Sequence, residues 1–175
     1  AGGRGQWRWG RRDRGQYGAA GGEDAGSTCV ECAGGKYAAA EGAAAEAACQ
    51  KGGAGKYSGT LGASAEDTCV KCGAGKYADA EGATSGSTCV ECGAGKYSGA
   101  SGAVNVWTCE DCDEGRYSGT VGATSVETCA ACGAGKYSGT GGAGSEATCE
   151  EGGAGRYAVA AGAPAAGQAV AGLWA

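Results

Sequence analysis

Twelve cysteines are the residues of this chain whose type and spacing point most directly to chemistry, and they fall in two phases of one 20-residue frame. Cys29, Cys49, Cys69, Cys89, Cys109, Cys129 and Cys149 occupy the first phase. Cys32, Cys72, Cys92, Cys112 and Cys132 stand three residues later. Three chemistries fit paired thiols. Disulfides suit an oxidising compartment and small modules without a core. Zinc fits the stretches Cys69-x2-Cys72-x16-Cys89-x2-Cys92 and Cys109-x2-Cys112-x16-Cys129-x2-Cys132, which have zinc-ribbon spacing. Dithiol redox exchange belongs at a helix start in a βαβ setting, which this pattern does not offer. A zinc ribbon pairs its knuckles two by two and would double the period. The period here stays at 20 with equivalent repeats, which favours disulfides.

The whole chain keeps that frame without insertion or deletion. Tyr17, Tyr37, Tyr57, Tyr77, Tyr97, Tyr117, Tyr137 and Tyr157 are all its tyrosines, and all share one phase. A glycine precedes each by two residues, and a long polar side chain stands directly before it, from Gln16 and Lys36 to Arg156. The consensus reads T-C-x-x-C-G-A-G-K-Y-S-G-T-x-G-A-x-S-x-x. Gly-Ala-Gly and the later Gly-Ala predict turns. Lys-Tyr-Ser and Ser-x-x-Thr-Cys predict two short extended stretches. Helix is disfavoured by about four glycines per repeat, at roughly 1 kcal/mol each. Ala43–Ala48 is helix-like in composition but keeps the strand-like frame of its neighbours. The expected fold is therefore small, disulfide-rich and mainly β. It is a tandem array of 20-residue β-hairpin repeats, stacked into an elongated rod or solenoid.

Composition excludes the usual alternative of an aliphatic core. Nine valines, two leucines and no Ile or Phe make about 6% of the 175 residues, against 40 glycines and 39 alanines. Such a chain cannot bury enough apolar surface to offset its ordering entropy. There is no histidine, which removes imidazole acid–base chemistry and His metal sites. No apolar run approaches the roughly 20 residues of a membrane span. Net charge is −5, which argues against general nucleic-acid binding. No cofactor, catalytic triad, paired-carboxylate site or phosphate loop is expected. The absence of an initial Met and of a leader suggests a mature product or an excerpt of a longer chain.

Spacing leaves two disulfide schemes. Closure within each C-x-x-C pair orphans Cys49 and Cys149. Closure across the hairpin joins each later cysteine to the first of the next pair, 17 residues on. It gives Cys32–Cys49, Cys72–Cys89, Cys92–Cys109, Cys112–Cys129 and Cys132–Cys149, leaving Cys29 and Cys69 unpaired or interchain. The second scheme is favoured because a C-x-x-C ring is strained and pins little chain, whereas a 17-residue loop is worth about 3 kcal/mol.

Outside the cysteines, the Tyr column is expected to pack over the disulfides and between repeats. The Lys/Arg column reads as a solvated stripe pairing with Glu31, Glu91, Glu110 and Asp111, with polyanionic glycan as the sharper alternative. Residues 1–14 are a degenerate basic and aromatic repeat: five arginines against Asp13 give +4, leaving −9 elsewhere. Trp9 and Arg12 occupy the two cysteine phases there. This repeat is expected to cap the array or touch the acidic body of another copy. Residues 15–163 form the repeat array, and 164–175 an Ala/Gly-rich tail or fading repeat. Ser58, Thr60, Ser98, Ser118, Thr120, Ser138 and Thr140 lie near predicted turns and are candidate O-glycan sites.

The motif from Thr88 to Ser101 and from Thr128 to Ser145 resembles the ephrin-receptor-like cysteine-rich repeats, akin to EGF-like and TNF-receptor-like modules of protist and algal secreted or surface proteins. The resemblance covers roughly residues 15–163. It implies an extracellular or cell-surface, disulfide-linked hairpin array, and it supports the across-hairpin pairing. Trp9, Arg12, Gly52 and Gly152 depart from the motif. The functional expectation is a non-enzymatic structural subunit of an extracellular filament, flagellar hair or surface stalk that self-associates. An adhesion or receptor ectodomain is the alternative, and Val104–Trp107 is its internal candidate, because Trp107 replaces Ala, Asp, Ser or Glu. A zinc-binding repeat array is the distant third.

Overall fold

The computed structural model describes residues 13–18, 29–152, 156–158, 161–163 and 169–171, with the backbone alone for 156–158 and 169–171. The expectations for Trp9, Arg12, the Tyr157 side chain and most of the tail lie outside these residues. Among them the chain forms eight two-stranded antiparallel sheets. The pairs are β1 (Gln16–Gly18) with β2 (Cys29–Glu31), β3 (Lys36–Tyr37) with β4 (Gln50–Lys51), and β5 (Lys56–Tyr57) with β6 (Val70–Lys71). Next come β7 (Lys76–Tyr77) with β8 (Val90–Glu91) and β9 (Lys96–Tyr97) with β10 (Glu110–Asp111). The last are β11 (Arg116–Tyr117) with β12 (Ala130–Ala131), β13 (Lys136–Tyr137) with β14 (Glu150–Glu151), and β15 (Arg156–Ala158) with β16 (Ala169–Ala171). The expected hairpin repeat is present, with one correction. In the repeats from β3 to β14 the second strand is the dipeptide that follows the first cysteine column, not Ser-x-x-Thr-Cys.

That segment is instead a single 3-10 turn, at Glu46–Ala48, Glu66–Thr68, Gly86–Thr88, Val106–Thr108, Val126–Thr128 and Glu146–Thr148. A backbone bond closes it with or without threonine, as from the Ala48 amide to the Ala45 carbonyl at 3.1 Å, and a threonine adds a second bond. A hydroxyl three residues on can bond back to the carbonyl at the turn's entry, closing the backbone locally. Thr68, Thr88, Thr108, Thr128 and Thr148 do so at 2.7–2.8 Å.

Hairpins as short as these do not stand alone in water. Backbone hydrogen bonds between repeats hold them. The Ser58 amide donates to the Ala83 carbonyl at 2.9 Å, the Gly35 amide to Ser58 at 2.7 Å, the Gly52 amide to Gly35 at 2.8 Å and the Gly62 amide to Cys32 at 2.8 Å. The same four bonds recur as Ser98 to Ala123, Gly75 to Ser98, Cys92 to Gly75 and Gly102 to Cys72. Glycine is required where these rungs meet. Gly115 has φ +76°, and a Cβ there would run into the Gly162 carbonyl. The core follows from the close approach. It consists of cysteines and alanines, with Cys32, Cys112 and Cys132 fully buried.

The described chain divides into two compact units. One comprises residues 1–71 and 80–88, the other 72–79 and 89–175. The first contains the sheets β1–β2, β3–β4 and β5–β6. The second contains the five sheets from β7–β8 to β15–β16. No helix among the described residues is long and apolar enough to cross a membrane.

Candidate functional site

The repeat presents three columns: cystines inside, tyrosines half-buried, and charged side chains outside. Five disulfides join Cys32–Cys49, Cys72–Cys89, Cys92–Cys109, Cys112–Cys129 and Cys132–Cys149, each with Cα atoms 5.7 Å apart. This is the across-hairpin scheme. Each bond joins the cysteine four residues before the first strand of a hairpin to the one directly before its second strand, as Cys32 before Lys36 and Cys49 before Gln50. The zinc-ribbon quartets are divided among these bonds. Cys72 bonds Cys89, while Cys92 bonds Cys109.

Cys29 and Cys69 carry free thiols, the first exposed and the second buried. The reason for Cys69 is visible. Its across-hairpin partner position is Gly52, where a Cβ would lie 2.8 Å from the Cys69 Sγ and 3.8 Å from its Cβ. The second distance matches the usual Cβ separation in a disulfide. The repeat keeps the geometry of a cystine whose other half has been replaced by glycine. For Cys29 the corresponding position is Arg12, outside the described residues.

Tyrosines from Tyr37 to Tyr137 are half-buried, each in a parallel bridge with an alanine two turns on, from Tyr37–Ala63 to Tyr137–Ala163. Tyr17 packs on Cys32, Ala38 and Cys49. The expected packing role is thus seen for Tyr17, and the regular bridge repeats at Tyr37, Tyr57, Tyr77, Tyr97, Tyr117 and Tyr137. What faces each phenol across the hairpin varies. Tyr97 donates to Glu110 at 2.9 Å, Tyr137 to Glu150 at 2.7 Å and Tyr37 to the Gln50 amide oxygen at 3.1 Å. The hydrogen bond to Glu110, then partial desolvation and the charges of Glu110, Asp113 and Glu127, hold Tyr97 above the ordinary phenol value. Tyr137 is raised in the same direction, first by its bond to Glu150.

The basic column forms ion pairs, though with partners that the frame only half discloses. Lys76 pairs with Glu91 and Lys96 with Asp111, as expected. Lys36, Lys56 and Lys136 pair instead with Glu46, Glu66 and Glu146, on the 3-10 turns. Taking Ser-x-x-Thr as a strand hid those partners; as a turn it brings the acid back over the hairpin. The Glu66 hydrogen bond raises the Lys56 ammonium above its ordinary value. Glu110 serves Tyr97 rather than a lysine. Arg116 reaches the Cys129 carbonyl at 3.0 Å. Exposed pairs such as these are screened by water and add little to stability.

Two surface expectations separate here. Ser58, Ser98, Ser118 and Ser138 are 2–3% exposed, so their hydroxyls are not open to glycan attachment in the folded chain. They sit inside because the column holds only small residues against the next repeat. Thr60, Thr120 and Thr140 stay on the surface. Trp107 is 87% exposed.

Among the described residues no cluster of three or more Cys, Asp or Glu is arranged to hold a metal ion. The arrangement can do two things: lock short hairpins covalently, and offer a periodic surface of phenols, ammoniums and carboxylates. No protein-family model matches the chain, and no curated protein matches it.

Proposed function

We propose that the chain is a non-enzymatic structural subunit of an extracellular filament, flagellar hair or surface stalk. The observation that carries this reading is the repetition, among the described residues, of one backbone rung set, closed by the same cystine in five repeats. Identical steps add length without adding a site. Such a surface can continue head to tail into an open assembly. Disulfides persist in oxidising compartments, and the ephrin-receptor-like resemblance points to the same place. O-linked glycans on Thr60, Thr120 or Thr140 belong to this reading.

Intact mass with and without reduction tests the compartment, on native protein purified without reductant or chelator. Five disulfides predict a gain of about 10 Da on reduction. No gain, together with bound zinc, would replace this reading by the zinc array. Electron microscopy of the same material tests assembly: filaments are expected, and uniformly single particles at high concentration would overturn it.

Adhesion or reception is the second reading, and the exposure of Trp107 favours it. An indole left 87% exposed is a surface that a partner can cover.

A further inference from the structure

We propose that the face around Trp107 docks the arginine-rich segment 4–14 of a second copy of this chain. The proposal rests on the filament reading above and names its contact. Trp107 stands where the sister turns have Ala47, Asp67, Ser87, Glu127 and Ala147, so the turn does not need an indole. At 87% exposure the ring contributes almost nothing to packing. Val104 and Val106 beside it are 44% and 42% exposed, making this the most apolar stretch of surface in any described repeat.

The backbone beneath the ring is held on both sides. The Asn105 side-chain oxygen accepts the Trp107 amide at 3.1 Å, and the Thr108 hydroxyl bonds back to the Asn105 carbonyl at 2.7 Å. Cys109, next in the chain, is tied to Cys92. A ring presented on a fixed turn loses little freedom when it is covered.

Charge selects the occupant. Glu110, Asp111, Asp113 and Glu114 follow within seven residues of Trp107, and all four are exposed. Lys96 engages Asp111, and Tyr97 engages Glu110. Among the described ion pairs none involves Asp113 or Glu114. Guanidinium groups stack on an exposed ring and also pair with carboxylates, so they suit a surface that carries an indole and, in the hairpin that follows it, acids outside the described ion pairs. Segment 4–14 supplies Arg4, Arg8, Arg11, Arg12 and Arg14 with Trp7 and Trp9, at a net charge of +4. A contact between two different surfaces of one chain propagates instead of closing.

The test uses full-length chains in sedimentation velocity at low salt. Wild type should associate with rising concentration beyond the dimer. Trp107→Ala combined with Asp113→Asn and Glu114→Gln should weaken association at least tenfold. So should Arg8→Gln with Arg11→Gln and Arg12→Gln. Mixing the two variants should restore a one-to-one pair and nothing larger, because each brings one intact surface. Retained disulfides, read by mass, show that both variants fold. Three outcomes overturn the docking: a face variant that associates like wild type, a mixture that stays monomeric, or a wild type that stays monomeric. Native filaments with an unaffected face variant would sink the docking and leave the filament reading standing. A one-to-one pair without native filaments would do the reverse.

Discussion

The two compact units use the same backbone rungs with unequal covalent support. The first has one cystine, Cys32–Cys49, and the free thiols Cys29 and Cys69. The second has four. Yet the rung geometry is the same. The Gly52 amide meets Gly35 at 2.8 Å without a cystine at position 52, and the Cys92 amide meets Gly75 at 2.8 Å with one. Backbone hydrogen bonding and glycine turns therefore set the conformation. The disulfide fixes it by limiting the unfolded chain. Each cystine is a stability increment added to a repeat that is already defined.

That contrast can be broken most severely by removing the first unit's cystine. Cys32→Ala with Cys49→Ala should cost about 3–5 kcal/mol. Hydrogen exchange should then show the amides of Gly52, Gly62 and Gly82 losing protection while those of Gly102 and Gly122 keep theirs. Equal loss in both units would mean that the stability is shared rather than local. The opposite change should narrow the gap. Gly52→Cys is expected to bond Cys69, lowering the mass by about 2 Da and adding about 3 kcal/mol for a 17-residue loop, read from the denaturant midpoint. A variant with both thiols still free would show that the Cβ placement at 52 is wrong.

A smaller effect compares one turn across the units. Gly35 and Gly115 both have φ +76°, with a neighbouring carbonyl where a Cβ would go. Gly35→Ala and Gly115→Ala should each cost about 2 kcal/mol. Only the first should bring its unit near unfolding at moderate temperature. The smallest effect is electrostatic. Tyr97 is raised above 10.0 by its bond to Glu110, so the stabilisation it gives is full below pH 10 and lost as pH climbs through the folded value. Glu110→Gln should bring the phenol's ultraviolet titration down toward 10.0. An unchanged titration would mean that the bond does not form in solution.

Reading the chain as a strict frame made the cystine column legible, because one offset of 17 accounts for every bond. It also made Cys69 legible as an orphan, and the turn glycines as obligatory. The 3-10 turn was not legible. The turn closes through a backbone bond such as Ala48 to Ala45, which any residue type can make and which leaves no mark in side-chain pattern. The Lys36–Glu46 and Lys56–Glu66 pairs were hidden for the same reason, since an extended segment would have carried those acids away. The rungs between repeats were equally silent: amides and carbonyls are common to all residues, so only the small size of Ala38 or Ser58 hints at the close approach. Trp107 was visible as an exception among the turns from 47 to 147, but its exposure depended on the turn.

The reach of those rungs bears on how the chain comes to be folded. The longest links a glycine to a carbonyl thirty residues earlier, as from Gly62 to Cys32, and the cystines reach back only 17. Every closure becomes available soon after its residues leave the ribosome. Adding repeats lengthens the chain without lengthening the loops that must close, so relative contact order falls as the array grows. Synthesis can proceed from the N-terminus with structure following a short distance behind, and a long array meets no greater folding barrier than a short one.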